Sequence, residues 1–327
     1  MQSVRFPIDP PVSRPILTQI LSSIIVLIMC LLLINTISVY RFHIFIIGLF
    51  LLTICVMSSM VFSGFVRPKR KLRNPSDQFS RVDWLSKSDE LVVRFEKWND
   101  AKAPLIIAIH GWQSDSSSTE YKIKPFIDSG YHIVMIDLPG HGSSDGLKIW
   151  TAVESGERIL SMLSDHANKW DESKIEKIVL FGHSIGGFVV LRHANRMSQI
   201  LPMPISRVYL ESPMTSFPLV FKQRTTSWKL ISRMLAQLDL RWAFIRDGPG
   251  SEIVWKDFEV PGWGIPSMPI RILQAKDDIA LGQHHLDLLR PYEMNDWEVI
   301  IDSNLKHFGR GENRGNASMT YEDWITK

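Results

Sequence analysis

Two long uncharged stretches dominate the beginning of the chain, at residues 15–40 and 44–66, and only Arg41, Phe42 and His43 separate them. As helices rising about 1.5 Å per residue, they would be roughly 35 to 39 Å long, against roughly 30 Å of bilayer hydrocarbon. The pattern therefore predicts a transmembrane helical hairpin over residues 15–66, with Arg41 and His43 at its turn.

Positive charges flank this hairpin on both outer ends. Residues 1–14 form a short tail that carries Arg5 and Arg14, and five cations follow the second stretch: Arg67, Lys69, Arg70, Lys71 and Arg73. The positive-inside rule places the tail, and everything after the hairpin, in the cytoplasm. The same cations also suit attraction to anionic lipid head groups. A cleavable signal peptide is disfavoured, because its apolar core is only about 7 to 15 residues long.

Beyond the hairpin, the pattern changes to short apolar runs that alternate with helical periodicity. Residues 67–89 are basic and polar and are expected to form a linker. The rest, residues 90–327, is expected to form one α/β domain, because buried β-rich runs between helices indicate a mostly parallel sheet with helices on its faces. The predicted strands are residues 91–98, 105–109, 133–137, 178–181, 208–210, 270–274 and 297–301. The predicted helices are residues 118–129, 152–168, 185–197 and 283–289.

Residues 212–269 interrupt this alternation with four tryptophans, Trp228, Trp242, Trp255 and Trp263, and a segment rich in proline and glycine. Two interpretations are open. The segment is either a lid over an active site or a helical excursion whose aromatic side chains pack into a local core.

Composition narrows the possible partners. The chain has 37 Lys and Arg against 34 Asp and Glu, and no basic cluster interleaved with aromatic residues lies in its last two thirds, so nucleic acid is not an expected partner. Both cysteines, Cys30 and Cys55, lie in the apolar stretches, which leaves no disulfide framework elsewhere and fits a reducing compartment. No His, Cys and Asp cluster has metal-ligand spacing, so neither a metal nor a cofactor is expected.

The most informative chemical motif is Gly-x-Ser-x-Gly at residues 182–186, which lies between two apolar runs. Such a motif also arises by chance as an ordinary glycine-rich turn. Here a predicted strand precedes it and a predicted helix follows it, which is the context of a nucleophile elbow. We therefore predict Ser184 as a nucleophile.

A serine nucleophile needs a general base, and ten histidines compete for that role. His307 is favoured because it follows the last predicted strand, at the edge where the carboxyl ends of parallel strands gather ligands. Structural roles are expected for His43, His132, His284 and His285, which lie in the membrane turn, at a strand start and in a helical pattern.

The base in turn needs an orienting carboxylate. Asp278 is the first candidate because it follows the strand at residues 270–274, and Asp277 is the second. Glu211, after the preceding strand, is the third. For all three, an ordinary solvated turn is the alternative.

An oxyanion hole requires two backbone N–H groups, each of which can lower the barrier by about 3 to 4 kcal/mol. The amide of Ile185, directly after the nucleophile, is the first predicted donor. The second is the amide of Trp112, in the loop after the strand at residues 105–109, where His110 and Gly111 are expected only to shape the turn.

With these motifs in order, residues 91–327 resemble the α/β-hydrolase superfamily, in particular its serine aminopeptidase and monoacylglycerol lipase branch. The resemblance is carried by residues 110–112 (His-Gly-Trp), by residues 137–144 (Asp-Leu-Pro-Gly-His-Gly-Ser-Ser), by the elbow, and by the order Ser184, Asp278, His307. It implies the α/β-hydrolase fold and a structural role for residues 137–144. The sequence departs from the family at residues 279–282, where a proline-containing turn is frequent.

The resulting hypothesis is a membrane-anchored serine hydrolase that cleaves carboxylic esters derived from lipids. Its partners would be an acyl substrate and the bilayer, and nothing in the sequence indicates an oligomeric state. Three alternatives remain open: a peptidase or amidase, an acyl transferase on the same fold, and a catalytically silent membrane adaptor.

Overall fold

The protein is described by a computed structural model over residues 5–12, 14–167, 169–223, 230–248, 258–259, 262, 264–293, 296–307, 321 and 323–325. Within these residues, eight strands form one sheet: β1 (Ser80–Leu85), β2 (Leu91–Lys97), β3 (Ala103–Ile109), β4 (His132–Ile136), β5 (Ile175–His183), β6 (Ile205–Glu211), β7 (Ile270–Ala275) and β8 (Glu298–Asp302). Their order in the sheet is β1-β2-β4-β3-β5-β6-β7-β8. Strand β2 is antiparallel to both of its neighbours, β1 and β4. Strands β3 to β8 are parallel to one another.

The mostly parallel sheet confirms the predicted α/β-hydrolase fold, and all seven predicted strands are present. Strand β1 was missed, because it lies inside the segment predicted as a linker, residues 67–89. Of its side chains only Trp84 is buried, so this edge strand lacks the apolar run by which buried strands are recognised. It pairs with β2, where Trp84 lies opposite Val92.

Helices cover the domain and mostly follow the predicted pattern. They are α3 (Ser116–Glu120), α4 (Lys124–Asp128), α5 (Ala152–Ala167), α6 (Ile185–Ile200), α7 (Phe217–Gln223), α8 (Leu230–Asp247) and α9 (His284–Asp287), which follow the two apolar helices described below. The helix predicted over residues 118–129 is split into α3 and α4. Pro125 explains the break, because proline has no N–H to donate to the carbonyl oxygen of Tyr121 and is tolerated only in the first turn of a helix, which is its place in α4.

Two apolar helices precede the sheet, α1 (Ile16–Asn35) and α2 (Ser38–Val66). Both are long and apolar enough to cross a membrane by length and composition, a test that some helices of soluble proteins also pass. The turn between them lies at residues 36–37, so Arg41 and His43 belong to the first turns of α2 rather than to the connection.

The end of α2 belongs to the hydrolase domain. Phe62 and Val66 are each 1% exposed and lie in the core on one side of the sheet. The segment after it is also docked, because the Arg70 guanidinium donates to the carbonyl oxygens of Gly142 (2.7 Å) and Ser144 (2.6 Å). The predicted linker is therefore fixed along the domain before it enters β1.

Helix α8 connects the domain to the hairpin. The buried Asp239 carboxylate accepts hydrogen bonds from the backbone N–H groups of Leu17 (2.8 Å) and Thr18 (3.2 Å), which are free at the start of α1. Further along, the Ser232 hydroxyl donates to the carbonyl oxygen of Ile54 in α2 (3.1 Å). Helix α8 lies in the segment predicted as a lid or helical excursion, residues 212–269. Trp242 is 60% exposed on it, whereas Trp228, Trp255 and Trp263 lie outside the described residues.

Candidate active site

The turn between β5 and α6 holds Ser184 in a strained backbone conformation, with φ 54° and ψ −116°. Such values are costly for a residue with a side chain and persist where the surrounding fold imposes them. The flanking glycines permit the turn. A Cβ atom on Gly182 would lie 2.7 Å from the carbonyl oxygen of Gly186, and one on Gly186 would lie 2.3 Å from that of Ile109. Strand and helix can therefore approach closely enough to hold the Ser184 hydroxyl outward.

The structure brings the three predicted triad side chains together. The Oγ atom of Ser184 lies 2.9 Å from Nε2 of His307, and Nδ1 of the same ring lies 2.9 Å from Oδ2 of Asp278. All three residues are buried. They follow β5, β7 and β8, whose carboxyl ends meet at one edge of the parallel sheet, which is why residues far apart in sequence converge.

Asp278 is held as an ionised carboxylate. Its Oδ1 atom accepts hydrogen bonds from the backbone amides of Ala280 and Leu281, both at 2.9 Å. Burial by itself raises the pKa of Asp278. The hydrogen bond and the charge of His307, together with these two amides, lower the pKa by more, so it lies below its usual value. Asp277, the second candidate, is exposed, whereas Asp278 is buried.

The two predicted oxyanion donors belong to residues that line the same cavity as Ser184, namely Trp112 and Ile185. Among the described residues, neither backbone amide has a hydrogen-bond acceptor. The loop that carries Trp112 is fixed by the buried His110, whose Nε2 atom accepts a hydrogen bond from the backbone N–H of Leu138 (2.9 Å). Burial lowers the pKa of His110, which suits this accepting role.

Glu211, the third acid candidate, contacts a different set of groups. Its carboxylate pairs with the Lys122 ammonium, accepts from the Tyr321 hydroxyl (2.5 Å) and lies 3.2 Å from Nδ1 of His183. Burial opposes a charged lysine, yet the adjacent carboxylate raises the pKa of Lys122. Burial and the charge of Lys122 lower the pKa of His183 to about 4, so this ring is neutral at pH 7. Nothing in the linear pattern signals this buried cluster.

The remaining histidines considered above do not reach Ser184. Nδ1 of His132 accepts from the backbone of Asn99 (3.1 Å), and Nδ1 of His285 accepts from that of Thr215 (3.0 Å). Burial lowers the pKa of His285 to about 4. His43 and His284 are exposed, in α2 and α9.

A cavity of about 640 Å³ opens above Ser184 and His307. Its wall includes four residues from the last turns of α2: Met60, Val61, Gly64 and Phe65. The ring of Phe65 packs against Phe217 and Phe221 of α7, with centroids 5.2 and 4.9 Å apart. Sequence reasoning missed this contribution, because the apolar stretch was interpreted only as a membrane span.

The comparisons with known proteins agree with the geometry. Residues 106–319 match the model of the alpha/beta hydrolase family. Among curated proteins, a probable serine hydrolase of Drosophila melanogaster is 30% identical over 104 residues, which is 30% of this chain and 28% of the relative. Phospholipase YtpA of Bacillus subtilis is 30% identical over 95 residues, 28% of this chain and 34% of the relative. The chain thus spans about a third of the length of these relatives.

Solved structures extend the similarity at the level of the fold. An esterase of Pyrococcus furiosus has a TM-score of 0.57 at 16% identity, covering 80% of this chain and 98% of the esterase. The mouse alpha/beta hydrolase domain-containing protein 10 has a TM-score of 0.56 at 18% identity, covering 76% and 98%. Identity this low shows the fold alone. The family match over residues 106–319 shows that this chain belongs to the alpha/beta hydrolase family.

Proposed function

We propose that this protein is a membrane-anchored serine hydrolase that cleaves carboxylic esters of lipids. The observation that carries the proposal is the chain of hydrogen bonds from Asp278 through His307 to Ser184, at a cavity partly walled by the apolar helix α2. Ester cleavage is also supported by the names of a structural neighbour, the esterase of Pyrococcus furiosus, and of a relative, phospholipase YtpA.

The mechanism follows from which atom carries each proton. With the imidazole proton on Nδ1 and directed to Asp278, Nε2 of His307 takes the proton of the Ser184 hydroxyl as Oγ bonds to the acyl carbon. The amides of Trp112 and Ile185 stabilise the resulting oxyanion. As the carbon–oxygen bond to the alcohol breaks, His307 returns the proton to the leaving oxygen. Water then attacks the acyl-enzyme with His307 again as base, which releases the acid and restores Ser184.

The position of α2 supports a lipid substrate. A helix that leaves the bilayer and ends on the wall of the cavity gives an acyl chain an apolar path from the membrane to Ser184. Met60 is 69% exposed on that wall, whereas Phe62, on the opposite face of the helix, is buried in the core. A tethered site also meets bilayer components at a high local concentration.

Helix α8 supports the association with a membrane. It packs on both hairpin helices, and one of its faces carries apolar side chains at helical spacing that are about half exposed or more. These are Leu230, Ile231, Met234, Leu238, Trp242 and Ile245. Since this face continues the exposed apolar surface of the hairpin, we assign it to contact with bilayer hydrocarbon.

The amino-terminal tail supports a common side for both ends of the hairpin. Arg5 pairs with Asp145 of the domain (3.1 Å), and the backbone of Ile8 bonds to the Asp145 carboxylate and to Gly146 N–H (2.5 and 2.9 Å). A tail docked on the domain lies on the same side of the membrane as the domain. The excess of cations beside the hairpin favours the cytoplasm as that side.

This topology predicts which engineered cysteines a membrane-impermeant reagent reaches. In a variant with Cys30 and Cys55 changed to alanine, Asn35→Cys, at the turn of the hairpin, is expected to react on intact cells. The matched Ser88→Cys, in an exposed loop of the domain, is expected to react only after permeabilisation. Labelling of Ser88→Cys on intact cells, or equal labelling of both before permeabilisation, would contradict the cytoplasmic assignment.

The hydrolytic activity is tested with the full-length protein in detergent micelles. We expect turnover of monooleoylglycerol and no comparable turnover of the matched oleoyl amide, because an alcohol leaves more readily than an amine. Released oleate is measured for both. Faster amide cleavage would favour the peptidase alternative, and transfer of oleate to an added alcohol in place of water would favour the transferase. Absence of both turnover and labelling by a fluorophosphonate would favour the adaptor.

A further inference from the structure

The lining of the cavity combines apolar and cationic groups. Apolar side chains come from α2 and α7, with Phe65 in edge-to-face contact with Phe217. Two cations, Lys71 and Arg73, also line the cavity, and they follow α2 directly along the docked segment. A pocket for a neutral acyl ester has no need of these charges.

The other two charged groups of the lining, Lys122 and Asp115, already have partners within the fold. The Lys122 ammonium pairs with the buried Glu211 carboxylate. Asp115 is buried and caps α3, where its carboxylate accepts from the backbone N–H of Ser118 (3.1 Å) and from the Ser117 hydroxyl (2.7 Å). The Asp115 carboxylate is therefore already hydrogen-bonded to the first turn of α3.

Lys71 and Arg73 differ from these groups. Within the part of the chain that the structure describes, neither has a carboxylate or a hydrogen-bond acceptor as partner. Arg70, between them and α2, is by contrast engaged with Gly142 and Ser144 carbonyl oxygens. The cavity therefore carries two unpaired positive charges beside the proposed nucleophile. Guanidinium and ammonium groups bind phosphate and carboxylate with strong, charge-assisted hydrogen bonds.

We propose that Lys71 and Arg73 form a subsite for the anionic head group of an acyl ester, a phosphate or a carboxylate. The acyl chain then lies along the α2 and α7 wall, and the ester carbonyl lies at Ser184. This inference rests on the proposed hydrolase function and gives it a preference for anionic monoacyl lipids over neutral ones.

The test uses two substrates that differ only in the head group, monooleoylglycerol and its 3-phosphate, with the full chain in uncharged detergent micelles. For the double variant Lys71→Gln/Arg73→Gln, we expect the ratio of kcat/KM for the phosphate to kcat/KM for the neutral ester to fall about 10- to 100-fold, mainly through KM. The matched control is Arg67→Gln/Lys69→Gln, which removes the same charge from two exposed cations of the same segment that do not line the cavity. The control is expected to leave the ratio unchanged.

Each other outcome overturns the subsite. An unchanged ratio in Lys71→Gln/Arg73→Gln means that these cations do not bind the head group. An equal fall in the control means that surface charge alone attracts the anionic substrate. If the wild-type protein cleaves monooleoylglycerol but not the phosphate, the subsite fails and the hydrolase function stands. If it cleaves neither, both fail.

Discussion

Replacement of Ser184 by alanine is expected to lower kcat for ester hydrolysis by about a million-fold, the loss typical when a triad nucleophile is removed. The reason is that Oγ forms the bond to the acyl carbon and that the 2.9 Å hydrogen bond to His307 is what makes it reactive. Alanine has a smaller side chain at a buried turn that the two flanking glycines shape, so the fold should persist. Initial rates with monooleoylglycerol, together with the melting temperature, measure both effects.

Ser114→Ala is the matched control for this variant. Ser114 also lines the cavity, but its hydroxyl contacts Ser118 rather than His307. It should retain hydrolysis and react with a fluorophosphonate, whereas Ser184→Ala should do neither. Turnover by Ser184→Ala close to that of the wild type would exclude the proposed mechanism.

Asp278→Asn is expected to lower kcat by about ten-thousand-fold while leaving the protein folded. Asparagine keeps the shape of the side chain but can donate to Nδ1 of His307, which favours the imidazole tautomer whose proton is on Nε2. That tautomer cannot accept the proton of the Ser184 hydroxyl. The carboxylate that orients the base is lost, and with it the charge that stabilises the imidazolium.

Asp277→Asn provides the matched comparison at the adjacent position. Its side chain is exposed, so we expect kcat to stay within about twofold of the wild-type value, as for surface substitutions that leave packing intact. Single-turnover rates of acyl-enzyme formation would measure the two variants side by side. A larger loss in Asp277→Asn than in Asp278→Asn would reverse the choice of acid.

The two apolar helices are in contact with the hydrolase domain. Because Phe62 and Val66 lie in the domain core and Asp239 caps α1, the apolar helices are part of the folded unit rather than a tether. Removal of residues 1–71 would expose the surface that α2 covers and open one wall of the cavity. Functional experiments therefore require the full chain.

Much of the fold could be predicted from local pattern. The apolar runs that became β2 to β7 are mostly buried on both faces, so each is recognisable on its own. The edge strand β8 is only partly buried and was recognised by its apolar run alone. The glycines at 182 and 186 mark a turn that few other residues permit. Strand β1 could not be predicted, because an edge strand with one buried side chain has no distinctive periodicity. The hairpin turn was misplaced for a similar reason, since a charged residue within the first turn of α2 resembles a charged residue in a loop.

The sequence by itself determined the order of strands along the chain, the two apolar helices and the position of the elbow, since each depends on residues that are neighbours in the chain. It left three acids open and gave no sign that α2 reaches the cavity. Only the tertiary structure brought Asp278 to His307, turned Glu211 toward Lys122, and laid Phe65 beside Phe217. The physical reason is that such contacts depend on which strands are adjacent in the sheet and on how distant segments pack, which local periodicity does not encode.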